Sequence, residues 1–305
     1  MKAENGFSFW THTELGKRRA QEDRIAISVC NGRSLVAIAD GMGGHGSGDI
    51  AAEAVLSAMQ AHLEAIEKAA ADDMAGVLTE DKEPTGACQF FLGSGAPIDF
   101  SPVDAALELS RHGGGITPEL AQHILIAAAE AGIRNLRSLP EAEINKFMGC
   151  ALSALWFYGP DAAAWVHVGD TRIYRLPRNT DQALQVTKDQ AREPPYQNIL
   201  ERAISARGST IFWDEESAGH LLFGPGDAFV LCTDGVHALI DPHRFVATEK
   251  IRDKGWEHFH ALAPGQFLGR HIRSGPMEDA ARGIVEYAIF KGGTDNATAV
   301  VVEVP

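Results

Sequence analysis

Apolar and polar positions along the chain follow two different periods, and their order predicts a fold class. Residues 7–13 roughly alternate aromatic and polar side chains, as a half-buried strand does. Residues 24–30 and 34–39 are two more apolar-rich runs, joined by Asn31-Gly32, a dipeptide that favours a tight hairpin. The glycine-rich stretch 40–48 is expected to lie outside regular structure. A helix follows from about Asp49, with Ala51, Ala54, Val55, Ala58, Met59 and His62 on one face. Residues 72–115 lose the periodicity and read as a surface insertion. Thr117-Pro118-Glu119 is a helix start, with threonine as cap and proline in the first turn. That helix is predicted to reach Ser138, with Leu120, Ile124, Ala127, Ala131 and Leu136 facing inward.

From residue 150 the period becomes that of strands: 150–158, 162–168 and 172–176, with turns at Gly159-Pro160 and Gly169-Asp170. Residues 188–210 are polar with a short helical part, and 227–232 is a buried strand ending in Thr233-Asp234-Gly235. Residues 241–275 are mixed and read as a second insertion, before a helix over 276–290 and a strand over 297–304. Strands that follow one another directly suit antiparallel sheets covered by helices, an α+β class, over a parallel array.

Composition narrows the function. A chain of 305 residues, 45% apolar and 22% charged, can bury a large core without a disulfide or structural metal. It is expected to form a single domain over 1–305 carrying the two insertions. Lysine and arginine number 27 against 41 aspartates and glutamates, a net charge of −14. That balance argues against a nucleic-acid or anionic-membrane binder and suits a protein that collects cations. Cys30, Cys88, Cys150 and Cys232 form no CxxC pair and read as free thiols of a reducing compartment. With no signal-like or membrane-spanning apolar run, the expectation is a soluble, monomeric cytoplasmic protein.

Three aspartates share one setting. Asp40 and Asp234 each end an apolar strand and precede a glycine; Asp295 precedes Asn296 and the last strand. Carboxylates meeting at strand ends would repel one another and hold protons unless divalent cations relieved them. All-oxygen ligands favour Mg²⁺ or Mn²⁺. Asp-Gly is also a common turn, so this pattern alone leaves a turn and a metal site both open. The glycine-rich loop lacks the lysine of a phosphate-binding P-loop and is weak evidence for a nucleotide.

Five motifs in order are more specific: Arg18 with Glu22-Asp23, Asp40-Gly41-Met42-Gly43-Gly44-His45, Gly169-Asp170-Thr171-Arg172, Thr233-Asp234-Gly235, and Gly292-Gly293-Thr294-Asp295-Asn296. Together they resemble the bacterial branch of the metal-dependent protein phosphatases, the PP2C family, over about residues 7–304. The resemblance implies a four-layer α-β-β-α sandwich with two central antiparallel sheets. It implies two Mn²⁺ or Mg²⁺ ions, bridged by Asp40, with the Gly41 carbonyl on one and Asp234 and Asp295 on the other. Asp170 would help hold a third, weaker ion together with Asp234. Glu22 and Asp23 would hold metal-bound waters, and Arg18 would clamp the phosphate. A metal-bridging hydroxide would attack phosphorus directly, with no phosphoenzyme.

Departures from the family pattern are local. Met42 stands where eukaryotic relatives carry a histidine proposed as general acid, which leaves leaving-group protonation unassigned; His45, on the loop, is more readily solvent-facing. Gly149-Cys150-Ala151 replaces a frequent Gly-Thr-Thr and is expected to alter packing. The implied activity is hydrolysis of phosphoserine and phosphothreonine in phosphoprotein substrates, opposing a serine/threonine kinase. Two alternatives stay open: a catalytically weak phosphopeptide-binding relative, and a phosphohydrolase of small phosphoesters. The insertions read as partner-docking surfaces or as plain surface elaboration.

Overall fold

The computed structural model of the chain describes residues 1–43, 47–74, 89–91, 97–99, 115–192, 199–208, 210–240 and 262–305. Gly44, His45, Gly46, Cys88 and most of both expected insertions lie outside the described residues. In chain order the first half contains β1 (Ser8–Glu14), β2 (Asp23–Cys30), β3 (Arg33–Met42), α1 (Gly48–Met74), β4 (Gln89–Phe91), β5 (Pro97–Asp99), α2 (Pro118–Ser138) and α3 (Pro140–Ile144). The second half contains β6 (Gly149–Phe157), β7 (Ala162–Val168), β8 (Arg172–Leu176), β9 (Leu184–Gln185), β10 (Ile204–Ser205), β11 (Ala218–Leu222) and β12 (Ala228–Cys232). It ends with α4 (Asp234–Ile240), α5 (Pro264–Arg273), α6 (Met277–Phe290) and β13 (Ala297–Glu303).

One antiparallel sheet runs β1-β13-β12-β8-β9 and the other β11-β7-β6-β3-β2, with β10 added to β6. Three apolar layers explain the stacking. Ile38, Leu155, Phe157, Phe229 and Val302 fill the space between the sheets. Val55, Met59, Ile124 and Leu125 seal α1 and α2 onto the second sheet. Val236, Phe267, Ile284 and Val285 seal α4, α5 and α6 onto the first. The chain is therefore a four-layer α-β-β-α sandwich, as its motifs imply. Central strands are covered on both faces, which is why β6 is buried at every position and does not alternate.

Local chemistry accounts for the element boundaries. Asn31 and Gly32 both take positive φ, 50° and 74°, closing the β2–β3 hairpin. Thr117 caps α2 by accepting from Leu120 N–H at 3.2 Å. Several expectations need correction. β3 does not stop before the glycine-rich stretch: Asp40, Gly41 and Met42 remain paired with Ala151, Cys150 and Gly149. Thr233-Asp234-Gly235 is not a turn but the entry to α4. The expected helical part of 188–210 is, among the described residues, the short β10 and a bridge between Ala191 and Leu200. Ala58, His62, Leu120 and Ala131 are half-buried, at the edge of the faces that α1 and α2 bury. No described helix is long and apolar enough to cross a membrane.

Candidate active site

Both sheets contribute carboxylates to one end of the sandwich. Asp23 and Asp40 face each other directly across the β2–β3 ladder, a like-charge pairing that strands ordinarily avoid. Asp234 opens α4 immediately after β12, Asp295 lies just before β13, and Asp170 sits in the β7–β8 turn. Glycines permit the close backbone approaches. A Cβ on Gly41 would stand 2.2 Å from the Gly48 carbonyl oxygen, so the end of β3 can approach the start of α1 this closely only with glycine here. A Cβ on Gly235 would stand 1.9 Å from the Asn296 carbonyl oxygen, which fixes Asp234 beside the approach to β13.

The field at this end is strongly negative. Burial, then Asp23, Asp234, Asp170 and Asp295, push the Asp40 carboxyl well above the usual range. Asp23 is pushed up to about 7, chiefly by burial, against hydrogen bonds from Thr298 and Thr233. Asp170 is also pushed up to about 7, by burial and then by Asp234. Asp234 is raised by burial and by Asp295, while a hydrogen bond with the Asp40 carboxyl works the other way. Carboxylates crowded in this way repel one another, and a cation would relieve that repulsion.

The supporting residues are mostly ones that sequence reasoning missed. Asp23 Oδ2 accepts from Thr298 Oγ1 at 2.6 Å and Thr233 Oγ1 at 3.0 Å. Thr298 in turn accepts from Thr13 at 2.7 Å, and Thr13 accepts from Gln21 Nε2 at 2.7 Å. This relay crosses β1 and β13, so no single sequence window contains it. Asp23 Oδ1 is buried with no hydrogen-bond partner. Asn296 accepts from Glu22 N–H at 2.8 Å and donates to the Leu15 carbonyl at 3.0 Å, tying the Arg18 segment to β13. His237, three residues into α4, donates from Nε2 to the Asp170 carbonyl at 2.8 Å. Gln190 brackets Gly169 from both sides, donating its N–H at 2.7 Å and accepting the Gly169 N–H at 3.1 Å.

Beneath Asp170, the buried His167 donates from Nε2 to the Lys188 carbonyl, leaving Nδ1 to accept from Ser153 Oγ; both contacts are 3.0 Å. Burial pushes that imidazole down to about 4, so it is neutral and structural. The described cysteines are free thiols with raised pKa values, Cys232 at about 12, all chiefly from burial, and none is a nucleophile.

Arg18 and Glu22 take positions that the motifs did not specify. Arg18 is half-exposed and reaches the cluster through Asp295, Nη2 to Oδ2 at 2.5 Å. The Glu22 carboxylate accepts from the Gly48 N–H at 3.3 Å, at the first turn of α1. All eight residues singled out by the motifs are therefore at one end of the sandwich, with Arg18 already engaged by an aspartate.

The donor set fits divalent cations of the Mg²⁺ or Mn²⁺ kind. It is all oxygen, it has an orphaned buried carboxylate oxygen on Asp23, and Asp40 and Asp234 crowd each other with raised pKa values. Among the described residues, no three histidine, cysteine or carboxylate side chains form a ready cage. Mg²⁺ characteristically takes only one or two carboxylates and keeps waters in its remaining positions, so a cage is not required.

Comparison with known proteins agrees with this layout. The profile of the family described as Protein phosphatase 2C matches residues 13–266. Serine/threonine protein phosphatase PstP of Mycobacterium tuberculosis is 26% identical over 295 residues, covering 91% of this chain and 41% of that protein. The chain thus spans about two-fifths of the length of that relative. Protein phosphatase PhpP of Streptococcus pneumoniae is 22% identical, with 95% of this chain and 94% of that protein covered. Among solved structures, the S. agalactiae serine/threonine phosphatase superposes with a TM-score of 0.64 at 20% identity, covering 98% of this chain and 100% of the other. The catalytic domain of PstP in complex with two manganese ions gives 0.59 at 22% identity, with 97% of each chain covered. At these identities the structural likeness speaks to the fold.

Proposed function

Since the chain belongs to the protein phosphatase 2C family, we propose that it hydrolyses phosphoserine and phosphothreonine in proteins, reversing the work of a serine/threonine kinase. Asp40, the Gly41 carbonyl, Asp234 and Asp295 would hold two Mn²⁺ or Mg²⁺ ions, and Asp170 with Asp234 a third, weaker one. When bound, these ions supply charge neutralisation, polarisation of the phosphoryl oxygens and acidification of a water able to attack phosphorus directly.

The chain's own residues do the rest. Arg18 presents a fork of donors at the open side of the cluster, where a phosphate dianion would compete with Asp295 for it. Asp23, anchored through Oδ2 by two threonines, keeps Oδ1 free to accept a proton from a water in the site. Glu22 fixes the Gly48 end of α1 against Gly41, which holds the Gly41 carbonyl in place. No described thiol or imidazole is set up as a covalent nucleophile, consistent with direct attack by water.

The observation that carries this reading is the convergence of five aspartates from both sheets on one end of the sandwich, one of them paired with Arg18. The test is hydrolysis of a phosphothreonine peptide with Mn²⁺, with Mg²⁺ and with EDTA, beside Asp234→Asn. Metal-dependent turnover that disappears in the variant is expected. Full activity in Asp234→Asn would overturn the ligand assignment. A folded protein that binds the peptide but never cleaves it would make the site a phosphopeptide receptor, and faster turnover of small phosphoesters than of peptides would redirect the substrate class.

A further inference from the structure

The turn between α3 and β6 holds the two most exposed large apolar side chains among the described residues: Ile144 at 86% and Phe147 at 84%. Neither belongs to any of the three core layers. Their outward position is fixed by the backbone. Asn145 N–H donates to the Glu141 carbonyl at 2.8 Å, Met148 N–H donates to the Asn145 carbonyl at 3.2 Å, and Phe147 N–H donates to Asn145 Oδ1 at 3.2 Å. Asn145 Nδ2 then donates to the Gly43 carbonyl at 3.0 Å, which ties the turn to the end of β3.

That tie places the pair beside the carboxylate cluster. Gly149 is the ladder partner of Met42, two residues beyond Asp40. A Cβ on Gly43 would lie 2.8 Å from Met148 Cα, so the two segments leave the sheet in contact. At about 3.3 Å per strand residue, Phe147 stands roughly 10–15 Å from Asp40. An extended peptide covers that span in about four residues.

Two side chains of this size offer on the order of 300 Å² of apolar surface. A stable dimer or permanent partner buries about 1,200 Å² or more in total. The patch is too small to hold a partner alone, but large enough to add to a segment already anchored by its phosphate. We propose that Ile144 and Phe147 form a docking knuckle for an apolar side chain of the phosphoprotein substrate, about four residues from the phosphorylated one. The inference rests on the phosphatase reading above and adds a sequence preference to it.

Three substrates separate the possibilities: p-nitrophenyl phosphate, which cannot reach the turn, and two phosphothreonine peptides carrying leucine or serine three to five residues from the phosphothreonine on both sides. The wild type should show a KM for the leucine peptide roughly tenfold below that for the serine peptide, the scale of burying much of one apolar side chain. The double variant Ile144→Ser/Phe147→Ser should lose that preference while kcat and the p-nitrophenyl phosphate rate stay unchanged. Phe147→Leu, which keeps the apolar surface, should retain most of it. A wild type indifferent to leucine, or a double variant that keeps the preference, would overturn the inference. So would a wild-type dimer in sedimentation velocity that dissolves in the double variant, since a second copy would then occupy the knuckle. A wild type that cleaves none of the three substrates would instead remove the phosphatase reading, and this inference with it.

Discussion

The same side chain, aspartate, is used in two opposite ways in this molecule. Elsewhere in the sandwich, aspartates are given an arginine. Asp189 is held by Arg172 through two 2.7 Å bonds, Asp227 by Arg175 at 2.8 Å, and Asp214 by Arg202 at 2.7 Å. Burial pushes Asp189 and Asp227 up, but hydrogen bonds outweigh it; at Asp214 the Arg202 bond is the larger effect, and all three end below the usual range. At the site, the buried Asp23 and the half-buried Asp40, Asp170 and Asp234 crowd one another and end above it. The fold can supply arginine where a carboxylate has only to be stable. On the proposed reading, cations from solution would take that part at the cluster.

The largest expected effect comes from removing the central repulsive charge. Asp40→Asn should lower metal-dependent turnover at least roughly a thousandfold, the equivalent of about 4 kcal/mol of lost transition-state stabilisation. It should nevertheless fold well and, in EDTA at neutral pH, melt above the wild type. Near-wild-type turnover would break the comparison at its centre. Asp227→Ala is the converse experiment. It strips Arg175 and the N–H groups of Arg178 and Gly224 of their acceptor, and should cost about 3 kcal/mol of stability. Turnover per folded molecule should not change, and a denaturant titration beside the kinetics checks both halves.

A smaller effect is the pH dependence of the Asp40→Asn difference in EDTA. Asp40 has a folded pKa above its unfolded value near 4, so the native state holds a proton that the unfolded chain has lost. The native state is therefore penalised increasingly as pH rises from about 4 toward the raised value. The melting-temperature advantage of Asp40→Asn should be nearly absent at pH 4 and grow toward pH 8. His62 and His167, pushed down to about 4 by burial, have the opposite slope but are common to both proteins and cancel in the difference. Saturating Mn²⁺ should reverse the ranking at pH 8, because only the wild type gains fully from the ion. An advantage independent of pH would show that Asp40 is not the strained group.

The parts of this contrast differ in how legible they are along the chain. The strand-ending aspartates and their neighbouring glycines are local, so Asp40, Asp234 and the sandwich around them can be read from apolar runs and short motifs. Asp40 remaining in a paired strand could not be, because its partner on β6, Ala151, lies more than a hundred residues away. The same holds for the Gln21–Thr13–Thr298–Asp23 relay, which needs β1 and β13 to be neighbours. Thr233 and Thr298 look like ordinary strand threonines until the sheets are stacked. Arg18 was legible as a residue of the site, but not its pairing with Asp295.

That pairing is where the two uses of aspartate overlap, and it yields the finest test. Arg18 is held on Asp295 as the structural arginines are held on theirs, yet it is half-exposed, where an ion pair contributes at most about 1 kcal/mol. Such a pair is weak enough to exchange: on the proposed reading a cation would take Asp295, and a phosphate would take Arg18. Arg18→Ala should therefore tighten Mn²⁺ binding a few-fold in calorimetry without substrate, because the ion no longer competes with a guanidinium. The same variant should raise KM for phosphopeptides by roughly tenfold, as a bidentate donor to phosphate is lost. If Mn²⁺ binding weakens instead, Arg18 is organising Asp295 for the metal rather than competing with it. The pair would then belong with Asp227 and Arg175 as structure, and the line between the two kinds of aspartate would have to be drawn inside the cluster, between Asp295 and Asp234.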